Sequence, residues 1–245
     1  FSHMKTIGVL TSGGDCPGMN ACIRAIVRCA ASRGMRVYGI NRGYQGMLEG
    51  DIELLDVMSV SGMSAKGGTF IQTARCVDFK TKEGRACAAE QLKKFGIEGL
   101  VVCGGDGSFS GAKLLCEEHG VPCIGIPGTI DNDITATDYT IGFDTAMNTT
   151  LDLIDHLRDT CESHARCNII EVMGRNCGDI ALYAGLAGGA ETVLIPEVDA
   201  DLSSICRKII IGKNRGKVHS LILHAEGVKM SSRELARVLE ERTGV

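Results

Sequence analysis

Apolar residues fall in short runs separated by longer amphipathic stretches, and the two alternate almost without a break. The runs predict strands over Thr6–Thr11, Arg36–Asn41, Ile97–Cys103, Pro122–Ile126, Asn168–Val172, Glu191–Ile195 and Val218–His224. Between them, helices are expected over Asn20–Ser32, Lys82–Phe95, Ser110–His119, Thr145–Cys161, Asp179–Ala187, Leu202–Ile211 and Ser231–Arg242. Short strands alternating with helices of about ten residues or more predict an α/β fold with mostly parallel sheets, helices on both faces. A second domain is expected from Tyr139, after the Thr135–Asp138 turn.

In such folds ligands bind at the carboxyl ends of the strands. Gly13, Gly14, Gly43, Gly104, Gly105, Gly107, Gly128 and Gly174 all follow predicted strands, where glycine lets backbone approach a ligand. Turns between strands and helices use glycine in any case, so the placement alone names no ligand.

Composition narrows the class. The chain has 245 residues, 44% hydrophobic, 23% charged, with a formal net charge of -4. That is an ordinary globular balance, and its scattered Lys and Arg argue against a nucleic-acid surface. No apolar run reaches the roughly 18 residues of a membrane span. Phe1-Ser2-His3 ahead of Met4 reads as a remnant and is excluded. The 12 cysteines sit at irregular spacings without a Cys-x-x-Cys pair, which points to reduced thiols and a cytoplasmic location. Cys161-x-x-His164-x-x-Cys167 has one metal-like spacing but no second pair, so no zinc site is read there.

The turns carry the chemistry. Pro127-Gly128-Thr129-Ile130-Asp131-Asn132-Asp133 brings a hydroxyl and two carboxylates to the end of a buried strand. If the backbone stays extended, Thr129, Asp131 and Asp133 point the same way, and one carboxylate serves as general base toward an alcohol. Gly104-Gly105-Asp106-Gly107-Ser108 suits phosphate, with Asp106 placed for a hard cation such as magnesium. The plainer alternative is that Asp106 and Ser108 cap the following helix. Thr11-Ser12-Gly13-Gly14-Asp15, leading into a helix, reads equally as a further anion turn or as a tight turn with a capping Asp. Neither a P-loop nor a G-x-G-x-x-G fingerprint is present. Arg75, Arg166 and Arg175 are the candidate cations.

Together, Ile7–Asp15, Gly68-Thr69 through Arg75, Gly104–Ser108, Pro127–Asp133, Tyr139–Phe143 and Glu171–Arg175 resemble 6-phosphofructokinases of the bacterial type, from Lys5 to the last residue. The resemblance implies two three-layer αβα domains, 4–138 binding ATP and magnesium and 139–245 binding the sugar phosphate, with the active site in the inter-domain cleft. It implies transfer of the γ-phosphoryl of ATP to the 1-hydroxyl of fructose 6-phosphate, with Asp131 as base. Thr129, Ile130 and Arg166 are implied sugar-phosphate ligands, with Met173, Gly174, Arg175 and Glu226; Thr129 and Ile130 also contact the transferring phosphoryl, Thr129 being an implied catalytic residue, and Arg175 steadies that group. Gly14, Arg75, Cys76, Gly105, Asp106, Gly107 and Ser108 are implied to hold ATP, with Asp106 the magnesium carboxylate.

Pyrophosphate-dependent relatives tend to carry Asp at Gly107 and Lys at Gly128; both are glycine here, which favours ATP. A regulatory subunit of the same fold would be expected to lose Asp131 or Asp106, and both are present. A kinase for a different sugar stays open. The resemblance further implies a homotetramer and an intersubunit effector site for ADP or phosphoenolpyruvate. Arg24, Arg28, Arg158, Glu191, Arg215 and Lys217 match that site. Arg24 and Arg28 read equally as a solvated helix face. Val57 and Gly62 stand where ADP-activated relatives often carry Arg and Asp, so a weak or altered effector response is expected. The family's chain normally continues past Val245 with further sugar-phosphate ligands, so impaired turnover is expected of this chain alone.

Overall fold

The computed structural model describes residues 4–217 and 219–245; Phe1-Ser2-His3, read above as a remnant, and the expected strand start at Val218 lie outside the described residues. The chain forms two compact units. The first is the chain through Thr129 together with Thr140–Gly142, and the second is Ile130–Tyr139 with Phe143–Val245. The expected division at 138/139 thus falls in the stretch where the chain passes back and forth between them.

In the first unit six strands form one sheet: β1 (Thr6–Thr11), β2 (Arg36–Ile40), β3 (Ile52–Leu55), β4 (Gly99–Gly104), β5 (Cys123–Thr129) and β6 (Ile141–Gly142). Their order is β3-β2-β1-β4-β5-β6, and every neighbouring pair is parallel except β2 with β3. Four helices cover the sheet: α1 (Met19–Ala31), α2 (Gly43–Glu49), α3 (Lys82–Lys94) and α4 (Asp106–His119).

Strand alternation sends Ile7, Val9 and Val101 to Ile23 and Val27 of α1. Leu10, Leu100 and Val102 go the other way, to Met47, Leu92 and Leu115 of α2, α3 and α4. A fully buried side chain such as Leu10 or Ile23 contributes about 1.5–3 kcal/mol, so two dry faces hold three layers.

The second unit repeats this plan on a smaller scale. Its parallel strands β7 (Cys167–Val172), β8 (Thr192–Leu194) and β9 (Ser220–Ala225) lie in the order β7-β9-β8. Helices α5 (Phe143–His164) and α6 (Asp179–Ala187) pack on Leu221, Leu223 and Ala225 through Phe143, Ile154 and Ile180. Helices α7 (Leu202–Asn214) and α8 (Ser232–Thr243) pack on Ile222 through Ile205, Ile209, Leu235 and Leu239. The side chains of Asp201 and Ser231 accept from the backbone N–H groups of Ser204 and Glu234, capping these two helices. Each cap is worth about 1 kcal/mol.

Four elements differ from the sequence reading for physical reasons. Helix α2 and the antiparallel strand β3 were not expected, because Gly43 was read only as a turn after a strand and Gly46 and Gly50 interrupt the pattern that follows. A Cβ at Gly46 would run into the Asn41 carbonyl, so backbone packing selects glycine inside this helix. Helix α4 begins at Asp106 rather than Ser110, and β5 continues to Thr129. Among the described residues no helix is long and apolar enough to cross a membrane.

Candidate active site

In the first unit the ends of β1 and β4 are welded together. The Ser12 N–H donates to the Cys103 carbonyl at 3.0 Å. A Cβ on Gly104 would meet the Ser12 carbonyl at 2.5 Å and Ser108 Oγ at 2.7 Å, so only glycine lets the two turns touch. Helix α4 starts from Gly105, so Asp106 and Ser108 lie inside its first turn rather than at the N-cap. Asp106 is exposed in the first turn, Ser108 is buried, and a Cβ on Gly107 would meet nothing within 4 Å. The first N–H groups of α4 thus open beside a carboxylate, an arrangement that binds anions and their counter-cations.

A third segment is fastened to the same edge. Buried Asn20 donates to the carbonyls of Lys66 and Gly67 at 3.1 and 3.0 Å and accepts from the Phe70 N–H at 2.8 Å. Thr11 Oγ1 bonds Thr69 Oγ1 at 2.8 Å and donates to the Gln72 carbonyl at 3.0 Å. Thr73 Oγ1 donates to the Gly13 carbonyl. The loop therefore brings exposed Arg75 and half-buried Cys76 to the side of the sheet where Gly14 and Gly105–Ser108 lie. At the end of β5, Gly128 has its Cβ direction filled by Cys103 Sγ at 2.7 Å, and the Thr129 carbonyl accepts from Thr140 Oγ1 at 2.7 Å.

The second unit carries the base candidate. The extended backbone expected through Asp133 is not found: β5 ends at Thr129, and Asn132 has a left-handed φ of 55°. Asp131 is consequently buried and Asp133 exposed, so the two do not share a direction. Asp131 Oδ2 meets Arg175 Nε at 3.2 Å; the carboxylate is 8% exposed and the guanidinium side chain 70%. Ile130 packs into the core around Phe143.

Arg175 is itself held in a left-handed conformation, φ 53°, just past the end of β7. Glu226, just past β9, fixes it: one carboxylate oxygen accepts from the Gly174 N–H at 3.0 Å and the Arg175 N–H at 2.7 Å. Met173 is exposed beside them. Arg166 is exposed immediately before β7, at the opposite end of that strand, and does not join this cluster.

Of the remaining cations, Arg24, Arg158 and Lys217 have local partners. Arg24 donates to the Val60 carbonyl at 2.8 Å, while Arg28 is exposed in the last turn of α1. In the second unit Arg158 donates to the Gly188 carbonyl, and Lys217 pairs with Glu191. Burial pushes the Glu191 carboxyl up, but Lys217 and the Leu221 N–H outweigh it and leave it below its ordinary value. Arg215 is exposed at the end of α7.

Three positioning groups went unread in the sequence: Asn20, Thr73 and Asp179, whose carboxylate accepts from Asn132 Nδ2 at 2.8 Å. Asn20 alone left a signal, as a polar residue on the apolar face of a predicted helix. Among the described residues no group of three or more His, Cys, Asp or Glu side chains converges on a metal position. The donor set at Asp106 fits a magnesium ion that keeps several waters and shares phosphate oxygens with one carboxylate.

Residues 6–245 match the family model described as phosphofructokinase. The chain is 59% identical over 242 residues to an ATP-dependent 6-phosphofructokinase of Alkaliphilus metalliredigens (strain QYMF), spanning 99% of this chain and 75% of that one. Its fold is similar to phosphofructokinase from Saccharomyces cerevisiae, with a TM-score of 0.92 and 36% identity over 97% of this chain and 36% of the yeast chain. It is also similar to a pyrophosphate-dependent phosphofructokinase from Marinobacter aquaeolei, at a TM-score of 0.80 and 25% identity over 98% of this chain and 66% of that one.

Proposed function

This chain belongs to the phosphofructokinase family, and we propose that it is a kinase moving the γ-phosphoryl of ATP to the 1-hydroxyl of fructose 6-phosphate. The observation that carries the reading is the Asp131–Arg175 pair, braced by Glu226 at the carboxyl ends of β7 and β9. Asp131 takes the proton of the attacking hydroxyl. The alkoxide oxygen bonds to the γ-phosphorus as the bond to the bridging oxygen breaks, and ADP leaves. Arg175, whose exposed guanidinium has donors beyond the one facing Asp131, steadies the charge on the phosphoryl group.

Thr129, Ile130, Met173, Gly174 and Glu226 orient the sugar phosphate, with Arg166 serving a neighbouring subunit of a homotetramer. Gly14, Arg75, Cys76 and Gly105–Ser108 hold the nucleotide. Bound at Asp106, magnesium would neutralise phosphate charge. The enzyme works in the cytoplasm, as expected of a glycolytic kinase.

The donor distinguishes ATP from pyrophosphate. Gly128 is explained by its packing on Cys103, but nothing packs where a side chain on Gly107 would go. Glycine inside a helix costs about 1 kcal/mol relative to alanine, so Gly107 keeps open space rather than stability. In the protein carrying this chain, fructose 1,6-bisphosphate should form with magnesium ATP and not with magnesium pyrophosphate. Gly107→Asp should leave thermal unfolding near the native value and lower kcat/KM for ATP by about tenfold or more, the size of one lost or opposed phosphate contact. Turnover with pyrophosphate alone would replace the ATP reading.

An effector role for Arg24, Arg28, Arg158, Glu191, Arg215 and Lys217 belongs to the same proposal. Local partners already engage Arg24, Arg158, Glu191 and Lys217, and half-exposed Val57 offers no charge to a phosphate. Saturation curves for fructose 6-phosphate should therefore shift little on adding ADP or phosphoenolpyruvate. A large shift abolished by Arg24→Ala would overturn this.

A further inference from the structure

His224 is 1% exposed on β9, two residues before Glu226. Its Nε2 lies 2.9 Å from the Met230 carbonyl, so that nitrogen carries a hydrogen and donates it. Nδ1 is buried with no hydrogen-bond partner, and the nearest charge is the Glu171 carboxylate at 3.9 Å, on the residue paired with His224 across the β7–β9 ladder. In the neutral ring a bare lone pair faces that carboxylate. In the cation an N–H faces it, and repulsion becomes attraction.

The other groups around the ring do not compete for this proton. Its partner on β8 is Leu194, and α7 and α8 turn Ile205, Ile209, Leu235 and Leu239 to this side of the sheet. Arg207, Lys208, Arg233 and Glu234 on those helices are exposed, and Lys229 of the adjoining loop pairs with Asp199. His119 of α4 lies in the first unit.

The pair sits at the root of the acceptor cluster. The Glu226 N–H donates to the Val172 carbonyl at 2.9 Å, one residue beyond Glu171, and the His224–Met230 bond closes the loop that begins with Glu226. Glu226 in turn holds Gly174 and Arg175. We propose that the Glu171–His224 pair takes up one proton, and that this proton positions Glu226 and makes affinity for the sugar phosphate depend on pH. The link to affinity rests on the acceptor reading given above; the proton and its effect on the loop do not. His224 is a positioning residue, since it reaches Glu226 only through backbone and loop.

The test is a pH series between about 5 and 9, the range that brackets histidine titration, on the protein carrying this chain. Imidazole nitrogen shifts of His224 and amide shifts of Gly174 and Arg175 are followed by NMR, and KM for fructose 6-phosphate is measured alongside. The amides should titrate with His224, and KM should rise about fivefold as the ring loses its proton, the low end of ordinary site coupling. Because the substrate's own phosphate ionises near pH 6, the comparison is with variants. His224→Gln keeps a donor for Met230, and Glu171→Gln removes the facing charge. Both should fold, flatten the difference profile and leave kcat near the native value.

A His224 ring that shows no protonation across the range overturns the proposal. So does a titration that Glu171→Gln leaves unmoved, or one that the Gly174 and Arg175 amides ignore. If those amides titrate but fructose 6-phosphate is not phosphorylated, the acceptor reading fails while the proton-driven loop stands. Phosphorylation with a KM profile identical in both variants overturns the link to affinity.

Discussion

Asp131→Asn should lower kcat by about 10²–10⁴, the usual contribution of a positioned general base, while KM for ATP changes little. The substitution keeps size and a carbonyl oxygen facing Arg175, so the loss isolates proton removal from placement of the guanidinium. Steady-state kinetics at saturating fructose 6-phosphate measure it. A kcat within about threefold of native would remove Asp131 from the chemistry, because a lost base cannot cost so little.

Gly227→Ala should be nearly as damaging without touching a reacting group. A Cβ at Gly227 would run directly into the Arg175 carbonyl oxygen, and both partners are backbone, so neither can swing aside. Restoring ordinary contact requires a retreat of about 1 Å, which at a reacting centre costs about a hundredfold in rate. The Glu226 bonds to Gly174 and Arg175 should loosen with it. Gly212→Ala is the control: a Cβ there meets only the Lys217 side chain at 3.7 Å, inside α7. That variant should match native kcat/KM and unfold at the same temperature or slightly higher, since alanine suits a helix better. Equal kinetics in both variants would mean that the position of the Arg175 backbone does not matter to turnover.

Much of the fold was legible because central parallel strands are buried on both faces and read as unbroken apolar runs between glycine turns. Ile97–Cys103 and Asn168–Val172 fall within a residue or two of β4 and β7. Strand β3 was not legible: an antiparallel edge strand with exposed Glu53 and Leu54 has no buried run to announce it. The candidate site residues stood out through their turns, but their pairings did not. That Asp131 meets Arg175 and that Glu226 holds both neighbouring N–H groups depends on where two strands end in space. Likewise the extended run expected through Asp133 failed at Asn132, a residue type that tolerates φ near 55° when a partner such as Asp179 receives its side chain.

The loop that bears Asp131 has both feet fixed in the first unit, where Thr129 pairs with Gly142 and Thr140 Oγ1 bonds the Thr129 carbonyl. This gives the protein an order of maturation. On the ribosome strands β1 to β5 of the first sheet emerge before the loop, and β6, which closes it, emerges after. A nascent chain arrested before Gly142 would therefore carry a nearly finished first sheet and every residue of the loop bearing Asp131, yet hold that loop by one end only. The last pairing of the first sheet is also the one that ties down the second end of the loop bearing Asp131.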